Sequence, residues 1–229
     1  MAIGFRASST DTGSSGTLTP TEPTGSNEDD IILAHVAIAS VDGSWTAPAD
    51  FTQLDTNIAT GGPDTHHWVG YKVRGSTAGN GYTFTYTGTA AAGAAQLVGY
   101  SGGKITEPLD VTYSNALHFN ESALSTGNEA AQPITTVTDN AMVVLLFMSN
   151  ESITTFGPPT DYNQRSAATA TLSPYACDKL TTTAGTQTPG VFTHTVTTQE
   201  NRTYVVAIRD SAATIAASKL AVLKRNRHF

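Results

Sequence analysis

The chain has 229 residues, 14% of them charged, and a formal net charge of −7. That length can bury one large all-β core or two small ones, and the acidic balance argues against wholesale nucleic-acid binding, which needs a basic face. A single cysteine, Cys177, excludes an intramolecular disulfide; a buried free thiol, packed as a small hydrophobe, is the expectation.

The first residues, M-A-I-G-F-R-A-S-S-T, contain no long apolar stretch. No secretory leader is therefore expected, and no apolar run in the chain reaches membrane-spanning length. Synthesis in a cytoplasm follows. Sequons at Asn120, Asn150 and Asn201 read as products of a Thr/Ser/Asn-rich composition.

Residues 1–27 are dense in Ser, Thr, Gly and Pro and read as an N-terminal arm with one short strand near Thr17–Thr21. The run I-I-L-A-H-V-A-I-A (31–39) is strand length and almost continuously apolar, which suits a central strand. Strands are predicted at 50–56, 67–73, 81–87 and 95–101; G-Y-T-F-T-Y-T alternates aromatic and Thr with period two. Residues 102–134 read as a long connection. A short strand at 134–138 precedes a second apolar run, A-M-V-V-L-L-F-M (141–148).

The two halves align. Ile31–Leu54 falls on Met142–Arg165 without a gap, at an offset of 111. The phrase W-T-A-P-A-D-F (45–51) recurs as F-G-P-P-T-D-Y (156–162), so Trp45 lands on Phe156, Pro48 on Pro159 and Asp50 on Asp161. Y-T-F-T-Y-T (82–87) is matched to V-F-T-H-T-V (191–196) at 109, and L-V-G-Y-S (97–101) to V-V-A-I-R (205–209) at 108. In the repeated phrase an aromatic staples the turn, Pro fixes φ, Asp bonds its own backbone and the next aromatic re-enters the core.

Neither apolar run alternates, so both faces of those strands should be covered. The fold expected is all-β: a two-sheet antiparallel β-sandwich over residues 28–211, built from duplicated halves at about 30–115 and 134–211. Interleaved halves are favoured over two independent domains. Residues 212–229 form a basic, helical or irregular tail with Lys219, Lys224, Arg225 and Arg227 and no acid. The rest of the chain holds 8 basic and 19 acidic residues, so the body carries −11 against +4 on the tail. A frayed end and a peg that docks on an acidic or symmetric surface are both open readings of it.

Catalytic motifs are missing: no H-E-x-x-H, C-x-x-C, Walker loop or nucleophile elbow occurs. His66 and His67 would point to opposite faces of a strand and could not easily share a metal. His35, inside an apolar run, reads as a satisfied core histidine. Glu107, Asp110 and Glu121 lack a patterned partner for glycoside hydrolysis. Glu28-Asp29-Asp30 reads as a solvated entry turn, with calcium the lesser alternative. The aromatics at period two read as core, with a sugar platform as the alternative.

M-A-I-G-F-R-A-S-S-T, then T-L-T-P-T-E-P-T-G, D-D-I-I-L-A-H-V-A-I and W-T-A-P-A-D-F, with the later V-G-Y-S-G and P-L-D, resemble a class of tailed-bacteriophage virion proteins. The resemblance spans most of residues 1–210. Asp29 stands where that class often has Gly, and Asp50-Phe51 where it often has Gly-Trp. The resemblance implies a jelly-roll-like sandwich and a non-enzymatic virion structural protein without cofactor or metal, assembled in the host cytoplasm and located on the virion.

The favoured function is a capsid decoration (cement) protein, a homo-oligomer and preferably a trimer, that binds the major capsid protein or other virion proteins and neither nucleic acid nor membrane. Multivalent contacts would come from the chain ends, through Phe5, Arg6, Lys219, Leu220, Leu223, Lys224, Arg225, Arg227 and Phe229. The alternative is a tail- or baseplate-associated adhesin that binds a receptor or glycan through an exposed loop surface of Trp45, His66, His67 and Trp68. A glycan-active enzyme is the weakest reading.

Overall fold

The structure is a computed structural model that describes residues 2–40, 42–59, 64–89, 91–121, 128–150, 152–153, 155–168, 170–194 and 201–212. The first half forms β1 (Gly4–Gly13), β2 (Thr17–Leu18), β3 (Ile31–Ile38), β4 (Trp45–Thr46), β5 (Thr52–Ala59), β6 (Thr65–Val73), β7 (Phe84–Tyr86) and β8 (Gly93–Ser101). The second forms β9 (His118–Glu121), β10 (Asn128–Ala130), β11 (Ile134–Thr135), β12 (Met142–Ser149), β13 (Phe156–Gly157), β14 (Asn163–Ala167), β15 (Ser173–Leu180), β16 (Thr186–Gln187), β17 (Val191–His194) and β18 (Asn201–Ile208). The protein is an all-β sandwich with antiparallel pairing throughout these ladders. The expected helical or irregular tail, residues 212–229, lies outside the described residues except for Ala212.

The duplication is visible in the strand order. One five-stranded sheet runs β1-β8-β3-β6-β5, and the other, read from β9, runs β9-β18-β12-β15-β14. Each half therefore builds its own large sheet, and the halves do not interleave. The two sheets pack face to face, β1 against β14 and β8 against β15, an arrangement with pseudo-two-fold symmetry. A three-stranded sheet covers each outer face, β2-β7-β4 in the first half and β10-β17-β13 in the second.

This layering explains the unbroken apolar runs. On β3, Ile31 and Leu33 face the second half and meet Met142, Val144 and Leu146 of β12. The alternate residues Ile32, Ala34 and Val36 face the first cover sheet, beside Trp68, Phe84 and Leu97. Val143, Leu145 and Phe147 do the same toward Phe192 and Tyr175. A strand buried on both faces has no use for polar alternation, and each such aliphatic side chain contributes roughly 1.5–3 kcal/mol when fully buried.

Trp45 pairs with Tyr86, and Phe156 with His194. Phe84 is therefore the counterpart of Phe192, an offset of 108 instead of the expected 109. The one-residue difference matters because it exchanges the two faces of a strand. At the corrected register both phenylalanines are fully buried. Asp29 and Asn140, counterparts at 111, both adopt left-handed φ, 70° and 59°. Asx side chains tolerate that region, so both turns form without a glycine.

The repeated phrase makes the same turn twice: Phe51 N donates to Pro48 O and Tyr162 N to Pro159 O, both at 3.0 Å. Its aspartates are tied across the sheet to lysines. Asp50 pairs with Lys72 of β6, and Asp161 with Lys179 of β15 at 3.5 Å. Each lysine also stands over the next aromatic of the phrase, Lys72 at 5.6 Å from Phe51 and Lys179 at 5.9 Å from Tyr162.

Residues 4–13, expected in a free arm, form the ten-residue edge strand β1 paired with β8. Ile3 and Phe5 carry the reason, since both pack on the core between the halves.

Candidate functional site

The chain crosses from one half to the other through residues 102–117, and this crossing shapes one end of the molecule. Gly102, at φ 74°, turns the chain out of β8. Gly103 then bridges Asp210 against Ile31 and Ile208, with no room for a Cβ. Ser211 N donates to Gly102 O at 2.9 Å, and Gly4 pairs with Ser101. The beginning of β1 and the described end of the chain after β18 thus lie at the same end face.

Two grooves open there. One, of about 500 Å³, is lined by Arg6, Glu28, Asp29, Asp30, Lys104 and Ile105, among others. Arg6 Nε bonds Asp30 Oδ2 at 3.2 Å, and Asn27 N donates to the same oxygen at 2.7 Å. The other, of about 400 Å³, has an apolar floor of Leu54, Tyr71, Leu109 and Tyr113 and a polar rim that includes Gln53, Thr112, Glu107 and Arg209. Glu107 forms the ridge between them: it accepts from Lys104 Nζ at 2.7 Å and Arg209 Nη1 at 2.6 Å. Those two cations hold its carboxyl below the ordinary range.

Asp110 is buried beneath the ridge. It accepts from Val137 N at 2.6 Å and from the Thr138 hydroxyl, and Arg209 stands 3.8 Å away. These bonds fasten the crossing segment to the second half. Tyr113 reaches into the first half and donates to Asp55 at 3.3 Å; burial, followed by the Asp55 charge, pushes its hydroxyl pKa up.

Of the residues proposed for partner contact, Phe5 is half-buried, edge-on to Tyr100, with Arg165 above its ring at 4.7 Å. Arg6 is 36% exposed and lines the first groove. Lys219, Leu220, Leu223, Lys224, Arg225, Arg227 and Phe229 lie outside the described residues.

The expected loop surface of Trp45, His66, His67 and Trp68 is a correction. Residues 66–68 lie inside β6, flanked by β3 and β5, and are buried. His66 faces the cover sheet, 3.4 Å from the Tyr86 hydroxyl, and burial lowers its pKa. His67 faces the other half, so the pair does point to opposite faces. Trp68 Nε1 donates to Gln53 at 2.9 Å, and half-buried Trp45 donates to His66 O at 3.0 Å. These rings fill the space between sheets and present no platform.

His35 is fully buried, as expected, but it is not the satisfied core histidine of the sequence reading, since only its Nε2 has a hydrogen-bond partner and its Nδ1 has none. Burial, followed by the charge of Arg202, lowers its pKa from the ordinary 6.5 to about 3. No group of three or more His, Cys, Asp or Glu among the described residues stands close enough to hold a metal ion.

Tyr71 is among the aromatics with a sugar platform as their alternative reading, with Trp45, Trp68, Tyr82, Phe84 and Tyr86; sequence reasoning missed Tyr113 and Arg209 as groove residues. Tyr113 and Arg209 meet through a fold-back that no local pattern announces. No protein-family model matches the chain, and no curated protein matches it.

Proposed function

We propose that the protein is a non-enzymatic virion structural protein of a tailed bacteriophage, a capsid decoration protein that binds shell proteins through the end face around Gly102–Tyr113. The observation that carries the reading is the collection of both ends of the described chain and two grooves on one face of a double sandwich with a continuous core between its halves. Such a body presents terminal segments and grooves to one partner surface, and repeated weak contacts on a lattice raise effective affinity. The sequence resemblance supplies the virion setting. A homo-oligomer, preferably a trimer, would supply the multiplicity.

A second reading, a tail-associated glycan binder, draws on the groove of Tyr71 and Tyr113. Apolar ring faces beside Gln53, Glu107 and Arg209 suit a sugar's mixed surface. Quantitative mass spectrometry of purified particles, scaled to the major capsid protein, separates the two. Hundreds of copies per particle are expected for decoration; a few dozen or fewer would overturn it in favour of the tail.

A further inference from the structure

The charges around the larger end-face groove do not balance. Arg6 is paired with Asp30, and Lys104 with Glu107. Glu28 and Asp29, in the same lining, are exposed and form no ion pair among the described residues. Two carboxylates are thus left unneutralised beside the exposed Ile105. Across the Glu107 ridge the second groove offers the apolar floor of Leu54, Tyr71, Leu109 and Tyr113. An occupant of both grooves needs aliphatic side chains next to cations.

The chain carries such a segment just beyond the described residues. Ser211 lines the larger groove, and Ala212 is the last residue described. Residues 219–225 read K-L-A-V-L-K-R, which sets Leu220 and Leu223 beside Lys219, Lys224 and Arg225, and residues 213–229 contain no acid. Fully extended, a stretch of that length spans at most about 56 Å, enough to reach an adjacent copy. A chain that has just formed the wall of a groove must reverse to fill it. Residues 212–225 contain no Gly, Pro, Asn or Asp, the residues that make tight reversals. A neighbour's groove is therefore the better match.

We propose that the C-terminal tail of one copy docks into the end-face grooves of a second copy, with Leu220 and Leu223 over the apolar floor and Lys224 and Arg225 beside Glu28 and Asp29. The contact joins two different surfaces, so it is heterologous and closes into a ring where the rotation permits, as a trimer would. It rests on the homo-oligomer of the proposed function and not on the shell. Exposed ion pairs are individually weak, so dilute protein is monomeric. Copies held side by side on a lattice raise the effective concentration and fill the grooves.

The test is sedimentation of the isolated full chain, which keeps its outcome separate from that of shell binding. The mass should rise with concentration up to about 1 mM, and less so in high salt. Two full-chain variants, Glu28→Lys in the groove and Lys224→Glu/Arg225→Glu in the tail, should each associate roughly tenfold more weakly. Mixed in equal amounts they should associate again, because the groove of one and the tail of the other are native. A wild type that stays monomeric overturns the proposal and leaves the grooves to the chain's own tail or to a shell protein. Variants that associate like the wild type, or a mixture no better than its parts, overturn it as well. Should a variant not fold, an excess of the peptide 213–229 decides: it should dissociate the wild-type oligomer, and failure to do so overturns the proposal.

Discussion

Ser8 on the edge of the first sheet donates to the backbone carbonyl of Arg165 on the edge of the second, at 2.8 Å. Arg165 lies over Phe5 and bonds both carboxylate oxygens of Asp178 at 2.8–2.9 Å. The seam between the halves is thus closed on this side by one arginine. Asp178 is buried, so its charge depends on that partner. Arg165→Leu should destabilise by about 3 kcal/mol, the range for orphaning a buried charge, read as a shift in urea midpoint. A double variant with Asp178→Leu should recover part of the loss; no recovery would mean the pair does not set the cost.

The duplicated ion pairs should differ in strength. The Lys72 side chain is 7% exposed and that of Lys179 35%. Asp50→Asn therefore leaves a nearly buried ammonium and should cost about 1–2 kcal/mol. Asp161→Asn should stay within about 0.5 kcal/mol. Equal losses in urea titration would contradict this ranking.

Acid should loosen the core between the halves. His35 is neutral when folded, with a pKa of about 3 against 6.5. The unfolded chain binds more protons between those values, so this contribution is complete above pH 6.5 and is lost as pH falls toward 3. The groups around it are His67, Arg202 and Tyr204, with the Gln96 amide on the neighbouring strand. Melting at pH 7 and pH 4 should show a steeper loss in the wild type than in His35→Leu; identical slopes would assign acid sensitivity elsewhere.

Cys177 is buried, and burial, followed by the charge of Asp178, raises its thiol pKa. A buried thiol at high pKa is inert. Native protein should resist a thiol-reactive dye, and the reaction rate should follow the unfolding curve in urea. Rapid stoichiometric labelling without denaturant would contradict the burial.

Deleting residues 213–229 removes the four basic residues of the tail. The proposed decoration role predicts an unchanged melting temperature of the isolated protein and weaker binding to shells in co-sedimentation. A large drop in Tm would instead make the tail part of the folded core.

The sequence by itself determined the two central strands and the duplication, though not β1, β9 or β10, whose residues read as an arm and a long connection. Ile31–Ile38 and Met142–Ser149 read as doubly covered because no polar residue alternates through them, and the two aspartate turns were audible as a repeated phrase. It did not determine which face of which sheet would meet its copy. That choice rests on pairing between residues far apart: Phe84 matches Phe192 only through the ladders to Trp45 and Phe156. Burial of His66, His67 and Trp68 likewise follows from strands β3 and β5 closing on both sides of β6. The pairing of Asp50 with Lys72 joins residues 22 apart, where the local pattern suggested a bond to the turn's own backbone. The end-face grooves and the buried Arg202 arise where the crossing segment and the two sheets converge, and only tertiary structure brings those distant residues together.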